Sequence, residues 1–274
     1  MQYLIQVGAD SLENEIRNLI SVLDKRYMRF TSKYTLLDSS MNTQVPDEGI
    51  PVGTIAFVKE LLSKQGYDNV LRPIEVPYFL QCNEFLKRGY RIVEYKDLPK
   101  TGRYFVKDVS HLKASNASCV SMNNFGSWFE EYTSLEPNRG IQIDETKFSV
   151  SDSLAIQSEY RVLVCDDKVQ GVQYYNGDYL VFPDAFLIRE LIREIEIQRA
   201  LGHLLPKSYT LDIGICDKGT FLIEMHNFVS CGTYGFYGDI LPYMYTEGIN
   251  FERDYSKTGK YNLYDKEYYE MGNV

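Results

Sequence analysis

The feature that most constrains this chain is a pair of apolar, strand-like runs in its last third that each carry an acidic residue. Asp212 ends the run Tyr-Thr-Leu-Asp, and Glu224 lies within Thr-Phe-Leu-Ile-Glu-Met-His-Asn, residues 220–227. An unpaired carboxylate is costly to bury, and a divalent metal held by carboxylates on adjacent strands removes that cost. The alternative is that backbone donors at the strand ends satisfy both acids. The runs therefore predict neighbouring strands whose acids either share a metal or sit at strand ends.

Composition predicts a folded protein of the α/β or α+β class. The chain has 274 residues, of which 44% are hydrophobic and 24% charged, so we expect one large unit or two tightly joined subdomains. The net charge of −9 argues against broad nucleic-acid binding, because contact with a phosphate backbone needs a basic field.

Cysteine usage and the start of the chain predict a cytoplasmic protein. The cysteines are widely spaced and form no metal-ligand pattern, which is typical of reduced thiols. They are Cys82, Cys119, Cys165, Cys216 and Cys231. Met1 to Val7 lacks the basic start and long apolar stretch of a targeting signal, and acidic residues follow closely. We therefore expect a first strand here, with neither secretion nor a membrane span.

Periodicity predicts a small α/β lobe in the first part of the chain. Residues 3–7 have the pattern of a strand, and Ser11 is placed to cap a helix whose apolar residues recur at helical spacing. The polar stretch 38–53, which contains Pro and Gly, has the composition of a loop. It leads to a second predicted helix over residues 54–65.

Strands and one long helix are predicted after this lobe. Residues 76–90 have helical spacing, and a strand pattern resumes at residues 104–107. Residues 149–164 and 168–175 alternate like an antiparallel pair. A helix is expected over residues 184–202, because Pro-Asp precedes the periodic run and Gly ends it.

These patterns divide the chain into a lobe and a larger domain. We place the lobe at residues 1–80 and the domain at residues 81–274. Within that domain, a central subdomain is expected over about residues 81–150 and a C-terminal subdomain over about residues 151–274.

Two lysines in the middle of the chain are candidate phosphate ligands. Lys107 lies in the strand-like run Phe-Val-Lys-Asp, and Lys113 follows in a polar segment that contains Ser, Asn and Ala. A strand lysine that faces a cleft can bind nucleotide phosphates as a point charge, and a flexible segment after it can close over them. The alternative for each lysine is an ordinary solvated side chain.

A Glu-x-Arg pair on a predicted strand is a further candidate. Glu159 and Arg161 share one strand face because side chains alternate, so they project together. The planar guanidinium of Arg161 can stabilise charge on a transferring phosphoryl group through two parallel hydrogen bonds. An ion pair on an exposed sheet face is the alternative.

Taken in order, these elements resemble the ATP-grasp superfamily. The ordered set is a strand lysine, a second lysine before a flexible loop, the Glu-x-Arg strand, a long helix, and acids on two further strands. The similarity covers roughly residues 70–250 and is nearest to small bacterial and phage ATP-grasp proteins. The lobe before it resembles a pre-ATP-grasp domain. The motifs that carry the resemblance are Phe-Val-Lys107, Ser-Glu159-Tyr-Arg161-Val-Leu-Val, Tyr-Thr-Leu-Asp212-Ile-Gly and Leu-Ile-Glu224-Met-His-Asn227.

The resemblance implies an ATP-grasp fold in which two α+β subdomains clasp a nucleotide. Lys107 and Lys113 would bind the phosphates of ATP, and Asp212 and Glu224 would bind Mg²⁺. Arg161 would lie near the γ-phosphate or an acyl phosphate, which makes Lys107 and Arg161 the expected catalytic residues.

The resemblance also implies contacts to the rest of the nucleotide. The adenine edge would meet backbone groups of a hinge, which we place at residues 148–151, including Ser149 and Ser151. Glu159 is expected to face the nucleotide because it shares a strand face with Arg161. The segment 228–235 combines small and aromatic residues beside the expected metal centre and is a candidate lining of the acceptor site.

One departure from the family pattern affects the metal site. The last metal strand usually reads Glu-x-Asn, but here His226 holds the third position and Asn227 comes next. Strand alternation points Asn227 away from the Glu224 face unless a bulge intervenes. Mg²⁺ prefers oxygen ligands, so the carbonyl oxygen of Asn227 is favoured slightly over the imidazole of His226.

The activity implied by the resemblance is ATP- and Mg²⁺-dependent joining of a carboxylate to an amine through an acyl phosphate. The substrates would be amino acids, peptides or protein side chains. A phosphotransferase on the same fold and a non-catalytic nucleotide-binding module are the alternatives. The Tyr-rich tail, residues 255–269, would cover the cleft, join a homodimer, or simply pack against the protein.

Overall fold

The computed structural model describes seven stretches of the chain and arranges their strands in three sheets. The expected helix cap Ser11 and the candidate phosphate ligand Lys113 lie outside the described residues, as does the tail beyond Thr258. The described stretches are residues 1–8, 12–27, 33–38, 45–71, 76–111, 118–134 and 139–258.

The first sheet is parallel and carries its strands in the order β2-β1-β3. Its apolar strand residues, such as Leu4 and Ile5, are buried, and Leu19 and Leu23 pack into the same core from the helix that follows β1. The second helix begins after Thr54, whose side chain accepts from the amide of Phe57. The elements are β1 (Gln2–Gln6), α1 (Glu13–Tyr27), β2 (Lys33–Leu37), β3 (Ile50–Val52) and α2 (Ile55–Lys64).

The second sheet is antiparallel, in the order β4-β7-β5-β6. One face packs against α4, where Phe125, Phe129 and Tyr132 meet Phe148 in an aromatic core. The opposite face carries Lys107, because strand side chains alternate. The elements are α3 (Asn83–Leu86), β4 (Tyr90–Glu94), β5 (Arg103–Asp108), β6 (Ser118–Ser121), α4 (Phe125–Ser134) and β7 (Lys147–Asp152).

The third sheet is antiparallel, in the order β11-β10-β8-β9. Val162 on β8 and Leu211 on β10 pack against Leu191 of the long helix α5. The expected caps are present: Asp184 accepts from the amide of Phe186, and Gly202 follows with a φ of 97°. The elements are β8 (Ser158–Cys165), β9 (Lys168–Gly177), α5 (Ala185–Ala200), β10 (Ser208–Cys216), β11 (Gly219–Asn227) and α6 (Leu241–Thr258).

Two sequence predictions about these elements are wrong. Residues 76–90 form a 3₁₀ turn at Tyr78–Leu80 and the one-turn helix α3 instead of a continuous helix, because Lys87 takes a φ of 53° and reverses the chain. The run 149–164 is two strands in two different sheets. Residues 153–157 connect them.

The first sheet and α6 share one hydrophobic core. Met244, Tyr245 and Ile249 of α6 pack with Leu4 and Leu19. The N-terminal lobe is therefore held by the end of the described chain, and we retain the boundaries 1–80 and 81–274 as a proposal. Among the described residues, no helix combines the length and apolar composition required to cross a membrane.

A buried acid joins this core to β11. Glu252 on α6 is 2% exposed and accepts hydrogen bonds from the Leu71 amide at 2.7 Å and the Asn227 side chain at 2.6 Å. Burial raises the pKa of Glu252, against the lowering effect of these two donors. The protonated acid is thus favoured more in the folded chain than in the unfolded chain.

We predict that Glu252 makes the protein less stable as pH rises. Since the folded-state pKa lies above the unfolded-state pKa, its stabilising contribution is present below the unfolded value and is lost as pH rises through the folded value. Glu252→Gln mimics the protonated acid and should remove that loss. Denaturant unfolding across acidic to neutral pH should show the stability of Glu252→Gln rising relative to wild type. A difference that does not change with pH would contradict the assignment.

Candidate active site

The two acids predicted from the sequence meet across adjacent strands. Asp212 on β10 is directly opposite Glu224 on β11, and the pairing then steps to Ile213 opposite Leu222, which leaves Ile223 as a bulge. His226 lies on the Glu224 face because the strand alternates regularly after the bulge. Ligand atoms of Asp212, Glu224 and His226 all lie within 4.8 Å of one another.

The slight preference for Asn227 as a metal ligand is corrected by this register. The bulge precedes Glu224, so nothing turns Asn227 toward the Glu224 face. The Asn227 side chain points into the core instead, where its amide nitrogen donates to the Gly248 carbonyl at 3.2 Å and to Glu252 at 2.6 Å. His226 is the residue beside the acids.

Arg161 is held against Asp212 by two parallel hydrogen bonds. β8 pairs with β10 so that Arg161 is opposite Asp212, and its Nε and Nη2 each donate to one carboxylate oxygen at 2.7 Å. Nη1 donates to the Gly232 carbonyl at 2.9 Å. Burial favours the neutral form of Arg161, but the hydrogen bond and negative charge of Asp212 prevail and raise its pKa. Arg161 is therefore a permanent buried cation.

Arg161 retains donors after these contacts are made. A guanidinium has five N–H groups, and within the described part of the chain three of them have acceptors on Asp212 and Gly232. The remaining donors, one on each terminal nitrogen, can bind two oxygens of one anionic group.

Lys107 reaches Glu224 from the other antiparallel sheet. Its Nζ lies 2.6 Å from one Glu224 oxygen, and His226 Nε2 hydrogen-bonds the other oxygen. Burial opposes the charged carboxylate, but the charges of His226 and Lys107 and their hydrogen bonds lower the pKa of Glu224 well below its ordinary value. The predicted lysine, arginine and acids therefore converge on one cluster.

The two expected serines lie on the Lys107 face of the central sheet. Ser149 is opposite Lys107 and Ser151 is opposite Phe105, and both serines are buried. The prediction of a backbone hinge at residues 148–151 is wrong, because β7 is hydrogen-bonded to β4 on one side and to β5 on the other. Whether their hydroxyl groups contact a nucleotide stays a prediction.

Glu159 is engaged within its own sheet. One carboxylate oxygen accepts from the Tyr175 hydroxyl at 3.0 Å, and the other accepts from the Asn176 side chain at 2.5 Å. Its role as a nucleotide contact stays a prediction.

Two tyrosines complete the surroundings of Arg161. The Tyr175 and Tyr234 rings stack with centroids 4.8 Å apart, and the Arg161 guanidinium lies 4.9 Å from the Tyr234 ring centroid. The sequence analysis indicated the segment containing Tyr234 but did not single out Tyr175. One tyrosine among 23 carries no distinguishing local signal, and its position here depends on an irregularity in the β8–β9 pairing.

The antiparallel sheets with acids facing a lysine across a cleft define an ATP-grasp protein, and comparisons with known proteins agree. Residues 85–240 match the model of an ATP-grasp domain family, the second family of its clade, and the chain belongs to this family. The matched stretch contains Lys107, Arg161, Asp212 and Glu224.

Solved structures with the same fold include an ATP-grasp RimK domain protein from Sphaerobacter thermophilus DSM 20745. It is 13% identical, with a TM-score of 0.53, over 94% of this chain and 100% of that chain. D-alanine–D-alanine ligase from Bacillus anthracis is 10% identical, with a TM-score of 0.55, over 94% of this chain and 98% of its own.

A third structure with this fold is the ATP-grasp ligase PsnB complexed with a minimal precursor. It is 11% identical, with a TM-score of 0.51, over 91% of this chain and 99% of that chain. A search of curated protein sequences found no match. At these identities the structural comparisons establish the shared fold.

We predict that Arg161 and Asp212 are strongly coupled in stability. Arg161→Ala leaves Asp212 buried without its partner, which should lower the free energy of unfolding by about 3 kcal/mol. Arg161→Ala/Asp212→Ala should lose clearly less than the sum of the two single variants. Denaturant unfolding measures all three, and Lys96→Ala, which removes the exposed Lys96–Glu94 pair, should change stability by about 0.5 kcal/mol or less. Additive losses would contradict the coupling.

Proposed function

We propose that this protein is an ATP- and Mg²⁺-dependent carboxylate–amine ligase that acts through an acyl phosphate. The observation that carries the proposal is the convergence of Lys107, Arg161, Asp212 and Glu224 from two facing sheets. Membership of the ATP-grasp family supports nucleotide binding at this cluster. The ligases among the structures with this fold favour amide bond formation over other phosphoryl transfers.

The donor set fits a magnesium ion bound together with a nucleotide. Asp212 and Glu224 supply carboxylate oxygens, which Mg²⁺ prefers, and the nucleotide phosphates would supply further oxygens. The imidazole of His226 is a poor magnesium ligand, and its hydrogen bond to Glu224 suits it to hold that carboxylate in place. Bound Mg²⁺ would neutralise part of the triphosphate charge.

The charged side chains would then exchange partners when the nucleotide binds. In the protein alone, Lys107 and Arg161 neutralise Glu224 and Asp212. With the acids turned to magnesium, the Lys107 ammonium is available to phosphate oxygens. The two remaining donors of Arg161 face the transferring phosphoryl group. Lys113, on the polar segment after β5, is proposed to add a second cation to the phosphates.

The reaction then needs no nucleophile from the protein. A substrate carboxylate attacks the γ-phosphorus, the bond to ADP breaks, and an acyl phosphate forms. A substrate amine attacks the acyl carbon, gives up a proton, and expels phosphate. Lys107 and Arg161 offset the repulsion between the anionic carboxylate and the triphosphate. Closure of the two sheets around the site would exclude the water that hydrolyses the intermediate.

Isotope transfer tests this function directly. Amino acids and peptides are screened for stimulated ADP release, and the active substrate is then supplied with heavy oxygen in its carboxylate. The proposal predicts one heavy oxygen in the released phosphate and an amide product by mass spectrometry. A phosphorylated acceptor would indicate a phosphotransferase, and nucleotide binding without turnover would indicate a binding module. Either result would overturn the ligase assignment.

Substitutions in the cluster should abolish this turnover without unfolding the protein. We expect Lys107→Ala, Arg161→Lys and Glu224→Gln each to lower kcat by about a hundredfold or more, because each removes a charge or a fork geometry from the transition state. Arg161→Lys keeps a cation beside Asp212, so stability should be largely retained. Lys96→Ala serves as the surface control. Near-normal rates in all three cluster variants would refute the site.

A further inference from the structure

The loop after β11 holds an unusual backbone conformation beside Arg161. Tyr234 has a φ of 47° and Ser230 a φ of 52°, both in the left-handed region that bulky side chains avoid. Gly235 follows with a φ of 84°. Such residues persist only where surrounding contacts enforce the conformation, and they concentrate at functional sites.

Contacts with the N-terminal lobe enforce this conformation. The Ser230 hydroxyl donates to the Gly53 carbonyl at 2.8 Å, and the Thr233 amide donates to the Glu15 carboxylate at 3.1 Å. The loop is therefore fixed from outside on the N-terminal side of Tyr234.

The consequence of this backbone is the position of one ring. Tyr234 contacts the Arg161 guanidinium and stacks on Tyr175, with an interplanar angle of 16°. Tyr175 is itself fixed, because its hydroxyl donates to Glu159, and Glu159 also accepts from Asn176. A continuous chain of contacts thus runs from Asn176 on β9 to Arg161 on β8.

We propose that Tyr234, supported by Tyr175 and Glu159, is a positioning residue that orients the guanidinium of Arg161 toward the transferring phosphoryl group. This inference rests on the proposed function, since it deepens the role of Arg161 in that reaction. Asp212 fixes one edge of the guanidinium and the Gly232 carbonyl fixes Nη1, while the Tyr234 ring lies against it. The strained loop is the structural cost of that placement.

The positioning role predicts a loss in kcat with little change in KM for ATP. Tyr234→Leu removes the ring and its contact with the guanidinium, and should lower kcat by about tenfold. Tyr234→Phe keeps the ring and should restore most of the rate. Tyr237→Leu is the matched control, because Tyr237 lies in the same loop, is similarly exposed at 43% against 44%, and contacts Lys25 and Ser21 of α1 instead.

The variants in an Arg161→Lys background separate positioning from general damage. If Tyr234 acts through the guanidinium, Tyr234→Leu should cost less than about twofold once Arg161 is lysine. The same tenfold loss in both backgrounds would overturn the inference, as would a rate for Tyr234→Phe as low as that for Tyr234→Leu. A loss confined to KM would also overturn it.

A spectroscopic measurement tests the positioning independently of turnover. In protein labelled at arginine, the Arg161 Nε–H resonance should shift and broaden in Tyr234→Leu and stay near its wild-type position in Tyr234→Phe. Unchanged resonances in Tyr234→Leu would overturn the inference even if the enzyme is a ligase. An enzyme without carboxylate-stimulated turnover refutes the proposed function, while altered Arg161 resonances would still support the positioning by Tyr234.

Discussion

The paired hydrogen bonds between Arg161 and Asp212 are the interaction on which the rest of the site depends. Two carboxylates opposite each other on neighbouring strands repel, and Asp212 is 4% exposed, so its charge requires a buried cation. Arg161 meets this need from the next strand and keeps two donors for a ligand. Lys107 and His226 compensate Glu224 in the same way. The cluster is thus neutralised internally by groups that an anionic nucleotide and a cation can replace.

The fold explains why these groups meet although they are far apart in the chain. β8, β10 and β11 bring Arg161, Asp212 and Glu224 into line across one sheet. Lys107 comes from a separate sheet, so its contact with Glu224 spans the cleft between the two. The N-terminal lobe shapes the loop that carries Tyr234, through Gly53 and Glu15. All three sheets therefore contribute to the surroundings of one guanidinium.

The sequence predicted those parts of the site that depend on strand alternation. Asp212, Glu224 and Arg161 were found because a charged residue in an apolar run is a strong local signal. The choice between His226 and Asn227 required the position of the bulge at Ile223, which sequence spacing does not encode. The run 149–164 alternates in the same way in two sheets, so its division was invisible. Tyr175 and Tyr234 depend on loop and register geometry, and neither has a distinctive local pattern.

The most direct test of the central claim is a calorimetric titration of ATP with and without Mg²⁺. If the acids hold a magnesium ion shared with the nucleotide, wild-type protein should bind ATP much more tightly with Mg²⁺ present. Asp212→Asn and Glu224→Gln should lose most of that enhancement while remaining folded. Equal affinity for ATP with and without Mg²⁺, or full enhancement in both variants, would contradict the account.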